Sequence, residues 1–105
     1  MELRGKKLGV LVSVGPEAPN FHHALGTARA ALDAGVVVYL YCIDDAVSGV
    51  GHPDLQALRT RGLIVYACAY GAHRRDVPLN DHATFAGLTV VNDLMAATDR
   101  FLSFN

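Results

Sequence analysis

Apolar residues in this chain fall into two patterns that alternate along its length. Short continuous runs, Leu8–Val14, Val36–Ile43 and Leu63–Ala67, read as strands covered on both faces, as in a parallel sheet. Between the first two runs, Phe21, Ala24, Leu25, Ala28, Ala31 and Leu32 recur at helical spacing, with Asn20 as the expected N-cap and Gly35 as the stop. Pro53 and Asp54 open a second helix that carries Leu55 and Leu58 inward and ends at Gly62. The residues after the third run predict a short helix from Tyr70 to Arg75, then a loop from Val77 and a helical turn over Asp81–Phe85. Gly87–Val91 is expected to form a fourth strand, Asn92 to cap a helix through Asp99, and Phe101–Phe104 to close the chain as a fifth strand.

Strands and helices alternating at this spacing predict a single α/β domain over residues 1–105. It is expected to be three-layered and flavodoxin-like, with a mostly parallel five-stranded sheet and helices on both faces. Ligands of such sheets bind at the carboxyl ends of the strands. Those ends carry Ser13 to Pro19, Cys42 to Asp45, Cys68 to Gly71, and Asn92. Ser13, Asn20, His22, Cys42, Asp44 and Asp45 are therefore the residues expected around a pocket.

The chain is 51% hydrophobic, which is apolar for 105 residues, so part of its surface is expected to be buried in a homo-oligomer. Its net charge is −1 and its nine Lys and Arg residues are dispersed, giving no basic tract for nucleic acid. No apolar run reaches membrane-spanning length, and Leu8–Val14 is too short for a secretory leader. A cytoplasmic location is the resulting expectation.

Two cysteines make no disulfide framework, and no Cys or His spacing matches a metal site. If the first strand lay between the second and third, the strands bearing Cys42 and Cys68 would be about 9.5 Å apart, beyond disulfide reach. Cys42 closes an all-apolar strand and reads as a packed core thiol. His22 and His23 fall off the inward stripe of their helix. Asp44 and Asp45 read as caps of the turn that follows them. The absence of GxxxxGK[ST], GxGxxG and GxSxG motifs excludes a phosphate loop, a dinucleotide fingerprint and a hydrolase elbow.

Cys68 stands where a strand gives way to a helix, in "LIVYACAYGAHRR". Backbone N–H groups at such a junction favour a thiolate, the form that attacks or accepts sulfur. His73, Arg74 and Arg75 lie one to two turns further on and are candidate supporting cations, with Tyr70 beside them. A small buried apolar residue is the other reading of such a cysteine.

Four stretches together resemble the DsrE/DsrF-like family of small sulfur-relay proteins. They are "ALGTARAALDAGVVVYLY" (Ala24 to Tyr41), "CIDDAV" (Cys42 to Val47), "LIVYACAYGAHRRDV" (Leu63 to Val77) and "GLTVVNDLMAATDRFLSF" (Gly87 to Phe104). The resemblance implies that Cys68 occupies the position that holds a persulfide in sulfur-carrying members. It also implies that Arg74 and Arg75 match the family's arginine pair. The glycine that follows that pair in the family is Asp76 here. The resemblance further implies trimers or hexamers, sulfur donor and acceptor proteins as partners, and no metal or organic cofactor, since the sulfur is the cargo. A non-catalytic assembly module of the same fold, and a redox sensor that oxidises Cys68 to a sulfenate, are the alternatives.

Overall fold

A computed structural model describes residues 2–105. Five parallel strands, β1 (Lys7–Val12), β2 (Val37–Cys42), β3 (Ile64–Cys68), β4 (Thr84–Ala86) and β5 (Arg100–Phe104), form one sheet in the order β4-β3-β2-β1-β5. The helices are α1 (Pro19–Asp33), α2 (Pro53–Arg59), α3 (Ala69–Arg74) and α4 (Thr89–Ala97), with a 3-10 turn over Asp44–Gly49. This is the layered α/β architecture that the alternating pattern predicts.

Strand parity sorts the core into two layers. Val10, Val12, Val38, Leu40, Cys42, Val65 and Ala67 share one buried cluster with Phe21, Ala24, Leu25 and Ala28 of α1 and Leu55 and Leu58 of α2. The intervening residues Leu11, Tyr39, Tyr41, Tyr66 and Cys68 join a second cluster with Val90, Val91 and Leu94 of α4. The chain steps one way through β1, β2 and β3, so right-handed crossovers lay α1 and α2 on the same face. It then returns from β4 to β5 and lays α4 on the other.

The strand order corrects one premise of the sequence reading. β2 and β3 are neighbours, not flanks of β1, and Cys42 sits in register with Ala67. Parity, rather than strand separation, keeps the two thiols apart: Cys42 joins one layer and Cys68 the other, and both are free.

Four local expectations also change. Over Asp81–Phe85 only a turn at Asp81 and His82 forms, with Thr84 and Phe85 beginning β4, and the strand over Gly87–Val91 is instead the lead-in and first turn of α4. A strand would turn Val90 and Val91 to opposite faces, whereas helical spacing brings Val90, Val91 and Leu94 onto the sheet together. Asn92 is thus inside α4, not at a strand end or cap; the N-cap is Leu88, which makes no side-chain cap bond. Asn20 is the second residue of α1, after Ala18 as N-cap and Pro19 at the first position, and its amide bonds outward instead.

The stops of α1 and α2 fall at the glycines that the sequence marks, whereas α4 ends at Ala97, two residues before the expected Asp99. α1 ends at Gly35 with φ 82°, and Val36 N–H donates to Ala31 O at 3.0 Å. The end of α3 has the same closure: Asp76 takes φ 53°, Val77 N–H donates to Ala72 O at 2.9 Å, and Asp76 N–H donates to His73 O at 3.4 Å. This is a Schellman ending, whose left-handed position glycine occupies without cost and Asp tolerates better than most residues. Asp76 therefore fills a left-handed position of the kind that favours glycine.

Candidate functional site around Cys68

Cys68 is the N-cap of α3. Its extended backbone (φ −69°, ψ 116°) lets Sγ accept the N–H of Gly71 at 3.4 Å, the place usually filled by a Ser, Thr or Asp oxygen. Gly71 matters for a second reason. A Cβ there would lie 3.3 Å from Val47 and 3.6 Å from the Cβ of Cys68, so glycine is what lets α3 close onto the 3-10 turn. Val47, Ala72, Tyr41 and Leu94 complete the buried cluster around the sulfur. Cys68 as a whole is only 6% exposed. The thiol is at the strand edge that the sequence indicates, but side chains cover it.

The flanking cations are engaged elsewhere. The guanidinium of Arg74 lies over the ring of Tyr70, 5.8 Å from its centre, and that ring is itself 67% exposed. Arg75 Nε donates to Asp45 Oδ1 at 3.1 Å, pinning α3 to the 3-10 turn. His73 is exposed in the last turn of α3. Asp45 is thus an ion-pair partner rather than a cap. Asp44 enters the turn with φ 48°, and the N-cap of that turn is Ile43, with no side-chain bond.

The remaining pocket candidates lie away from the sulfur. Ser13 Oγ donates to Asn105 Oδ1 at 2.9 Å and Asn20 Nδ2 donates to Asn105 O at 2.8 Å, at the carboxyl ends of β1 and β5. His22 Nε2 donates to Pro16 O at 2.7 Å, and His22 lines a cleft of about 380 Å³ between α1 and α2 with Arg29, Asp54 and Arg61. Cys42 is fully buried on that α1 and α2 side, and burial pushes its thiol up to about 12. Among the described residues, no group of three His, Cys, Asp or Glu side chains is arranged to hold a metal ion. No helix among them is long and apolar enough to cross a membrane.

Tyr41 is the neighbour that sequence reasoning missed. It lies within the apolar run of β2, fully buried, and its hydroxyl donates to Ala86 O at 3.1 Å and Gly87 O at 3.0 Å. Burial first, then the charge of Cys68 and a hydrogen bond with it, push the phenol up to about 12. The available signal was a hydroxyl inside a doubly covered strand, which must find an acceptor.

No family model matches the chain, and no curated protein matches it. Among solved structures, the YchN protein of E. coli superposes with a TM-score of 0.80 at 19% sequence identity, covering 95% of this chain and 99% of that one. At that identity the likeness is one of fold. The chain therefore has the fold of YchN, the α/β layout that its resemblance to the DsrE/DsrF-like family implies.

Proposed function

We propose that this protein is a sulfurtransferase-like member of the DsrE/DsrF-like family that carries sulfane sulfur as a persulfide on Cys68. The observation that carries this reading is the Gly71 N–H directed at Cys68 Sγ at the β3–α3 junction. A sulfur held there as thiolate keeps one fixed N–H donor and no competing proton. The Cys68 thiolate attacks the outer sulfur of a donor persulfide, R–S–SH. A new S–S bond forms on Cys68, the donor S–S bond breaks, and the donor leaves as thiolate, with no net oxidation. An acceptor thiolate repeats the same exchange on the Cys68 persulfide. Because Cys68 is 6% exposed, both steps require its cover to move.

The protomers of this reading assemble into a cytoplasmic homo-oligomer. Leu88 and Met95, seven residues apart at one helical face, are 61% and 56% exposed. Light scattering at micromolar concentration should return a multiple of the protomer mass; a monomer overturns this part.

Incubation with a persulfide donor, followed by intact mass measurement, tests the carrier. The expected result is an adduct of about 32 Da that Cys68→Ser abolishes and a thiol acceptor removes. The burial of Cys68 favours a second reading, an assembly module in which this thiol is only core. Alkylation of Cys68 solely after denaturation would establish it. A gain of about 16 Da with peroxide, and none with the sulfur donor, would instead identify a redox sensor.

A further inference from the structure

Tyr41 reaches from β2 across the end of β3 to the start of the α4 segment. Its ring stacks on that of Tyr66, its register partner on β3, with centres 6.4 Å apart and planes 23° apart. Beyond that ring, its single hydroxyl proton is shared by the carbonyls of Ala86, the last residue of β4, and Gly87, two residues before α4. Tyr41 and Cys68 share one buried cluster on this face of the sheet.

α4 is lightly held. Of its nine residues only Leu94 is buried, with Val90 and Val91 half-buried against the cluster that contains Cys68 and Tyr41. No side chain caps its amino end. The Tyr41 hydroxyl adds a side-chain tie at the β4–α4 junction to the strand pairing that sets Ala86 beside Cys68. Such lightly packed elements open locally at a lower free-energy cost than the whole fold.

We propose that Tyr41 is a latch: its hydroxyl fastens the β4–α4 junction over Cys68, and release of the Ala86 and Gly87 carbonyls is what admits a reactant to the sulfur. The latch is a regulatory feature of the site and rests on the reading of Cys68 as the working thiol. Opening itself is measurable whether or not sulfur is ever carried.

Cys42 supplies an internal reference, because its complete burial in the opposite layer leaves global unfolding as its route to solvent. The full chain is labelled with iodoacetamide in increasing urea, and the Cys42 and Cys68 peptides are quantified by mass spectrometry. In the wild type, Cys68 should label at least about ten-fold faster than Cys42 and with the weaker urea dependence that sub-global opening shows. Tyr41→Phe should raise the Cys68 rate about five- to ten-fold, on the order of one net hydrogen bond, with the Cys42 rate rising in proportion because global unfolding breaks the same bond. A Cys68 rate that stays put in Tyr41→Phe while that of Cys42 rises overturns the latch. If that variant does not fold, the wild type alone decides: equal rates and equal urea slopes mean that only global unfolding exposes Cys68, and the latch is wrong. Labelling as expected with no sulfur adduct leaves the latch standing and removes the carrier.

Discussion

Cys42 ends β2 and Cys68 ends β3, neighbouring strands whose register sets Cys42 beside Ala67, one residue short of Cys68. That single step turns the two sulfurs to opposite faces. Cys42 meets α1 and α2, has no exposed surface, and is held protonated by burial. Cys68 meets the 3-10 turn, α3 and the lightly packed α4, and receives a backbone N–H. The same residue type at the same edge of one sheet thus has its proton held by burial on one face and meets a backbone donor on the other. Which face a strand residue takes sets its surroundings before any charged neighbour does.

Moving the thiol by one residue is the strongest way to break this contrast. The double variant Ala67→Cys, Cys68→Ser transfers the sulfur to the layer that holds Cys42. The side chain at 67 is fully buried there, and it loses the N-cap position that sets Sγ against Gly71 N–H. Native-state reactivity toward iodoacetamide should drop to that of Cys42, and any sulfur adduct should vanish altogether. Ser at position 68 keeps an oxygen on the cap, so α3 should survive, and circular dichroism checks that it does. A thiol at position 67 that still reacts in the folded protein would show that parity does not govern access.

The sequence made much of the frame readable, for reasons that lie in local chemistry. Gly35 and Gly62 announce helix ends because their backbones adopt positive φ, and the stripe from Phe21 to Leu32 has only one face to bury. Cys68 at the β3–α3 junction was legible for the same reason, as a strand-forming run gives way to small residues. Its parity was not. Leu63 to Ala67 is apolar at every position, so no alternation marks which residues face which layer. The stretch after β4 misled in the opposite sense. Val90 and Val91 favour strands by propensity, yet packing of Val90, Val91 and Leu94 on the sheet imposes a helix. Arg74 and Arg75 drew attention by their charge and by matching the arginine pair of the resemblance. Their partners, Tyr70 and Asp45, are fixed by how α3 sits on the 3-10 turn, which spacing along the chain does not reveal.

A smaller effect sharpens the contrast through alkaline stability. The Cys42 thiol is raised in the fold from 9.0 to about 12, so above about pH 9 the unfolded chain loses its proton while the native protein keeps it. The unfolded state then binds fewer protons, and stability falls as pH rises through this window. Below it the contribution is constant. Tyr41, raised from 10.0 to about 12, adds a fall of the same sign that begins about one pH unit higher. Each group can steepen the loss by up to about 1.4 kcal/mol per pH unit. Urea denaturation of wild type and Cys42→Ala between about pH 8 and about pH 10.5 isolates the first of these. The variant loses some packing at every pH, which shifts its line downward but leaves the slope free of Cys42. Its stability should therefore decline less steeply than that of the wild type from about pH 9 upward. Parallel lines would mean that Cys42 ionises as easily in the fold as out of it, and the difference between the two faces of the sheet would have to rest on something other than burial.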